Sequence, residues 1–186
     1  MTALYPRLLG HAWSNVAESV RHAHHGGSLT GTFRVQHGPS RLGRLLLRVI
    51  RMPRPAESAD VRVTVSPIEN GERWFRTFDG RPLVTVQHYG RTGLLLEQIG
   101  LLEFQYRLRT RDGALEYEQV GVALCAGPGR LPLPSPVAPL VEARETPAGS
   151  SGIHVRVKIS VPVLGDLISY EGVIRTEESP AQALRP

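Results

Sequence analysis

The sequence predicts an α+β domain that is mainly β. The expected form is a strongly curved antiparallel sheet or incomplete β-barrel of about 8–10 strands with two helices, enclosing an apolar cavity. Three observations predict it. Segments of apolar/polar alternation recur along most of the chain, and on a strand that pattern buries one face and wets the other. The turn dipeptides Asn70-Gly71, Asp79-Gly80 and Asp112-Gly113 punctuate them, and such pairs accept the positive φ of tight hairpins. Two stretches of helical periodicity precede the long run of strands.

Taken in order, Leu8, Leu9, Ala12, Val16 and Val20 recur at helical spacing and predict one helix over residues 6–24, stopped at Gly26-Gly27. Residues 28–37 alternate, with Leu29, Phe33 and Val35 inward. Ser40 can cap a second helix over 41–51, with Leu42, Leu45, Leu46, Val49 and Ile50 on one side and Arg44, Arg48 and Arg51 on the other. A basic amphipathic helix of this kind can lie on an anionic membrane. Covering one face of a sheet is the commoner use and the one expected here, so membrane contact is the minority reading. Residues 61–109 form a five-strand meander, in which Val84, Val86 and His88 share one face and Leu102, Phe104, Tyr106 and Leu108 another. Residues 114–124 continue as strand. The Gly- and Pro-rich stretch 126–139 cannot be a central strand and is expected to cross one end of the sheet as an extended lid. Strands follow over 137–145, over 153–161, where Ile153, Val155, Val157, Ile159 and Val161 alternate most clearly, and over 167–176, with Ile168, Tyr170 and Ile174 on one face. Residues 1–176 read as one domain and 177–186 as a flexible tail.

Composition narrows the function classes. The formal net charge is +5, and Lys158 is the only lysine. The arginines are scattered, which reads as solvated strand faces rather than a nucleic-acid surface. Cys125 stands alone, so no internal disulfide and no paired-cysteine zinc motif exists. No signal peptide or apolar run of transmembrane length is present, and a cytoplasmic location is expected. The dinucleotide-binding Gly motif, the phosphate-binding loop and the serine elbow are absent, and no cofactor is called for.

Four side chains are candidates for chemistry. Glu97 shares a strand face with Leu95 and Ile99, so its carboxylate should lose water and need a cation, either Arg76 or Arg107. Such a carboxylate serves as general acid or base, or as half of a structural ion pair. Glu145 lies on the face of Val141 and Ala143. Tyr170 could donate to a carbonyl or alkoxide oxygen, or meet a backbone carbonyl in the core. Arg76 would orient oxygens. His37, His88, Phe104 and Tyr106 are candidates to line a ligand site. The cluster His22-Ala23-His24-His25 has metal-ligand chemistry but no matching carboxylate at helical spacing, so adventitious binding is the expected use and no metal is called for.

The order of Gly31 and the strand end at Val35 and Gly38, Arg76 and Phe78, Glu97 and Gly100, Phe104 and Leu108, the Leu-Pro run ending near Pro139, Arg144-Glu145, and Pro162, Gly165, Tyr170 and Gly172 carries a family resemblance. The chain resembles a bacterial family of domains of unknown function, found alone or fused behind saccharopine-dehydrogenase-like oxidoreductases. Extra residues at 125–130 depart from its pattern. The resemblance implies one compact domain, possible partnership with an oxidoreductase, and no established activity.

Three functions remain in contention. The chain binds an apolar small molecule in its cavity. Alternatively, the same cavity is a cofactor-independent cyclase, isomerase or dehydratase working on a small, natural-product-like substrate through Glu97, Tyr170, Arg76 and Glu145. The third reading is a non-catalytic interaction domain of an oxidoreductase system.

Overall fold

A computed structural model of the chain describes residues 3–90, 92–127 and 129–177. The N-terminal segment holds α1 (Leu4–Leu9), a 3-10 turn (Gly10–Asn15) and α2 (Glu18–Ala23). The strands are β1 (Gly27–His37), β2 (Ala56–Ile68), β3 (Gly71–Phe78), β4 (Arg81–Tyr89), β5 (Leu95–Ile99), β6 (Leu102–Arg111), β7 (Ala114–Ala126), β8 (Gly129–Pro132), β9 (Leu140–Ala148), β10 (Gly152–Val161) and β11 (Gly165–Thr176). Helix α3 (Arg41–Val49) connects β1 to β2. Each of β1 to β7 pairs antiparallel with the next. From β7 the ring passes to β9, then β10 and β11, and β11 pairs back onto β1. Ten strands thus close a barrel, and β8 hangs on the outer part of β7.

Closure removes exposed sheet edges, so the alternating strands bury one face inward all round. Two glycines let β1 and β11 approach closely. A Cβ on Gly31 would lie 2.0 Å from the Val173 carbonyl oxygen, and one on Gly172 would lie 2.1 Å from that of Thr32. The β1/β11 contact therefore tolerates no side chain at either position.

The ladder between β7 and β9 is the shortest in the ring. Only Leu115–Glu145, Glu116–Arg144 and Tyr117–Ala143 pair along it, because β7 continues with β8 while β9 leaves. The Gln119 side chain fills in beyond that point. Its amide nitrogen donates to the Pro139 carbonyl at 2.8 Å, and its oxygen accepts from the Val141 N–H at 2.7 Å.

Several elements differ from the sequence reading. The first helix is broken. Gly10 takes φ +53, and Val16 turns extended to bridge Gly113, so one continuous helix over 6–24 does not form. In α3 the buried residues are Gly43 and Leu47, and the leucine-rich side faces outward instead of covering the sheet. In β4 the inward residues are Leu83, Thr85 and Gln87, opposite the face of Val84, Val86 and His88. Register explains this: Arg76, Trp74 and Glu72 on the inner face of β3 pair with those three positions. The stretch 126–139 does not cross the barrel end; it makes the short exposed strand β8 and a turn beside β7. Residues 178–186, in the expected tail, lie outside the described residues.

Candidate functional site

Ten strands enclose more room than their own inward side chains fill. The N-terminal segment takes up much of it. Tyr5 is fully buried, and its hydroxyl donates to Gln87 Oε1 on β4 at 2.8 Å and lies 3.1 Å from the Tyr117 hydroxyl on β7. It thereby ties two walls of the ring together. A hollow of about 90 Å³ remains. Its walls include Phe33, Val61, Phe78 and Ile174, and Met52 from the loop after α3. The hollow is more polar than the apolar cavity the sequence predicts. A cavity of roughly 150 Å³ is needed to hold benzene.

One polar chain runs along it. Gln87 Nε2 donates to Glu97 Oε1 at 3.2 Å, an orientation required because an ionised carboxylate only accepts; the amide oxygen is then left for Tyr5. Arg76 Nη2 stands 3.8 Å from the same Glu97 oxygen, its Nη1 donates to Thr85 Oγ1 at 2.8 Å, and its guanidinium lies 4.8 Å from the centre of the Trp74 ring. On the other side Tyr117 donates to Glu145 Oε1 at 2.9 Å, and His24 Nε2 lies 2.6 Å from Glu145 Oε2. His24 is sandwiched between Tyr5 and Trp74, with ring centres 3.8 and 5.3 Å away. Its Nδ1 is buried with no partner among the described residues.

Proton count marks a tension in this chain. Tyr5 and Tyr117 hold two hydroxyl protons, one given to Gln87 and one to Glu145. The hydroxyl–hydroxyl contact between them has no proton of its own. Any change at Gln87 or Glu145 therefore redistributes the other bonds.

The electrostatics follow from burial. Burial pushes the Glu145 carboxyl up, but the attraction of His24, hydrogen bonds from His24 and Tyr117, and the Arg76 charge outweigh it, so it lies below its ordinary 4.5. Glu72, which accepts from Trp74 Nε1 at 3.2 Å, is raised by burial despite His24 and that bond. Tyr106 is raised well above 10.0 by burial and by Glu97, and burial pushes Tyr170 up to about 12. Both therefore remain O–H donors throughout the working range of pH. Neither hydroxyl has a hydrogen-bond partner among the described residues; burial and nearby charges alone account for their shifts.

Of the residues singled out from the sequence, Glu97, Tyr170, Arg76, Glu145 and Tyr106 all line this hollow. Arg76, not Arg107, is the cation beside Glu97; Arg107 is exposed and pairs with Glu118. Phe104 is buried and stacks with Tyr106 but lies outside the lining. His37 does not reach it either, since its Nε2 bonds the Pro53 carbonyl at 2.8 Å. His88 sits on the outer face, paired with Leu96. Tyr5, Thr85 and Gln87 are not singled out by the sequence, and His24 only within the His22-Ala23-His24-His25 cluster. For His24 a signal existed: it extends the fourfold spacing of Val16 and Val20. Among the described residues no group of three or more His, Cys, Asp or Glu could hold a metal ion.

The model of a family described as a domain of unknown function, DUF4166, matches residues 17–174. No curated protein matches the chain. A protein of unknown function from the DUF3598 family of Nostoc punctiforme PCC 73102 has a similar fold, with a TM-score of 0.50 and 12% identity, over 81% of this chain and 47% of that one. The likeness thus takes in less than half the length of that relative. A secretary abundant heat soluble (SAHS) protein from Ramazzottius varieornatus aligns at a TM-score of 0.40 and 9% identity, over 81% of this chain and 93% of that one.

Proposed function

The chain belongs to the DUF4166 family, and from that premise we propose that it binds, inside its barrel, a small molecule with an apolar body and one oxygen-bearing end. One observation carries the reading. The hydroxyls of Tyr106 and Tyr170 and the remaining donors of Arg76 meet a hollow whose other walls are mostly apolar, and the two hydroxyls lack a protein acceptor among the described residues. Neither hydroxyl oxygen is a sealed, unsatisfied atom; both are open to the hollow or its mouth, where a ligand oxygen would accept from them. A carbonyl or carboxylate fits these donors; a pure hydrocarbon would leave them unpaired.

The ligand must be small, or the interior must yield. Met52 is unbranched and flexible and borders the hollow, so it is the side chain best suited to give way. Native mass spectrometry of protein purified from its own host tests the reading, because a retained mass names the ligand. Protein emerging at its bare mass, with no chemical-shift change on titration with propionic acid or 2-butanone, would rule it out.

A second reading is proton-transfer catalysis of cyclase, isomerase or dehydratase type. It is favoured by the buried run from Tyr117 through Glu145 to His24 at the edge of the same hollow. Glu97 would act as acid or base there, with Tyr170 and Arg76 holding a substrate oxygen. The resemblance to domains carried behind saccharopine-dehydrogenase-like oxidoreductases supports a place beside such an enzyme, with an exchanged small molecule as the link. A cytoplasmic site of action belongs to the same proposal, supported by the solitary cysteine. No described helix is long and apolar enough to cross a membrane.

A further inference from the structure

Helix α3 and its flanks carry the entire net charge of the protein. Residues 41–54 contain Arg41, Arg44, Arg48, Arg51 and Arg54 and no acid. The whole chain has 22 basic and 17 acidic residues, so outside this stretch the remaining 17 basic residues balance the acids. All five arginines are exposed. None forms an ion pair with a described residue, and Arg44 spends its guanidinium on the carbonyls of Gly38 and Pro39. Of the acids at this end, Glu57 pairs with Arg34, Glu103 with Arg130 and Asp166 with Lys158, while Asp79 accepts from the Asp60 N–H.

The same helix displays its apolar side. Leu42, Leu45, Leu46, Val49 and Ile50 are 38–71% exposed, while Leu47 and Gly43 anchor the helix on the barrel and Gly43 abuts Leu167. Strand direction places α3 at the barrel end that also bears the β5–β6 and β10–β11 turns, and there Leu101 and Val163 are exposed too. Among the described residues, Phe75 and Val120 are the large apolar side chains exposed on the barrel wall well away from this end.

We infer that this end of the barrel docks on an anionic lipid surface, with α3 lying in the headgroup layer. Leucine and valine enter the acyl boundary and the arginines meet lipid phosphates, the arrangement of an interfacial helix. Charge decides against the alternatives. A second copy of the chain would set arginine against arginine. A nucleic acid would leave the leucines in water, and the stretch offers no aromatic ring for a base to stack on. The inference stands on α3 alone and does not depend on what the barrel holds.

Sedimentation of the full chain with vesicles tests it. Binding to equimolar phosphatidylcholine/phosphatidylglycerol vesicles, weak or absent on phosphatidylcholine alone and declining with added salt, is expected. Replacing Arg41 or Arg48 by Gln should weaken binding about fivefold each. Leu45→Glu/Val49→Glu should abolish it with an unchanged thermal midpoint, since both side chains are exposed, and Val120→Glu on the barrel wall should leave it intact. Failure to sediment with anionic vesicles overturns the inference. So does equal sedimentation of Leu45→Glu/Val49→Glu, or a concentration-dependent dimer that this variant dissolves in the absence of vesicle binding.

Discussion

His24 Nε2 lies 2.6 Å from Glu145 Oε2, across 121 residues of sequence, and joins the N-terminal helical segment to the far wall of the barrel. Both residues are buried. Removing the imidazole strands a carboxylate in the core. His24→Ala should therefore cost about 3–5 kcal/mol, the range for breaking a buried pair from one side. Glu145→Gln keeps an acceptor for Tyr117 and a hydrogen-bonding partner for His24, so it should cost less, about 1–2 kcal/mol. Urea unfolding of the two variants ranks them, and the reverse order would mean the pair does not hold the helix to the wall.

The two buried acids give opposite pH signatures. Glu145 is lowered in the fold, so the stability it adds is fully present above its ordinary 4.5 and is lost as pH falls through the lower folded value. Glu72 is raised, so its contribution is fully present below 4.5 and is lost as pH rises through the higher folded value. Glu72→Gln should accordingly raise the neutral-pH thermal midpoint, while the gain disappears in acid. A midpoint that drops at pH 7 would contradict this.

Tyr106→Phe and Tyr170→Phe separate binding from structure. Neither hydroxyl has a partner among the described residues, so stability should change by less than about 0.5 kcal/mol or improve slightly. Affinity for an oxygen-bearing ligand should fall roughly 5- to 10-fold per hydroxyl, the worth of one hydrogen bond. Calorimetric titration with the ligand recovered from the native protein reads both variants, and loss of stability with unaltered affinity would reverse the assignment.

Glu97→Gln distinguishes holding from catalysis. Its carboxylate is only part-buried and shares Arg76 with Thr85, so the variant should stay folded. Were the cavity catalytic, turnover would fall about 100-fold or more, as for a lost general base. Unchanged turnover would remove Glu97 from any chemistry.

Much of the barrel was legible in the chain, for reasons visible in particular strands. β10 reads clearly because every second residue from Ile153 to Val161 is aliphatic and faces the core. The meander reads because its turns need positive φ, and Asn70, Asp79 and Asp112 supply it. Glu97, Glu145, Tyr106 and Tyr170 stand out in the sequence as polar residues on apolar strand faces, and with Arg76 they line the hollow. The same logic fails in β4. Thr85 and Gln87 point inward to serve the polar chain, and a pattern reader assigns the inside to their apolar neighbours Val84 and Val86. Tyr5 was hidden because its partner is 82 residues away and no local pattern records it; the fourfold spacing marks His24 but not Glu145, 121 residues away. The leucines of α3 were misplaced because periodicity shows that a helix is two-sided but not which side the barrel takes.

Gln119 deserves a variant of its own. It supplies both bonds where the β7–β9 ladder stops. Gln119→Ala should cost about 2 kcal/mol, one for each bond lost, and should speed amide exchange at Val141 ahead of β10. Uniform exchange along both strands would show the junction to be no weaker than its neighbours.

A ring with one thin joint does not fail at random. Heat, force or an oversized guest should find the shortest ladder first, so the expected first opening is a parting of the wall between Tyr117 and Leu140, ahead of the longer ladders on either side. That gives the molecule a built-in door frame, and it leaves two raw strand edges on show each time the frame gapes. Whatever the barrel holds, a cell that keeps it at high concentration has reason to keep that joint shut.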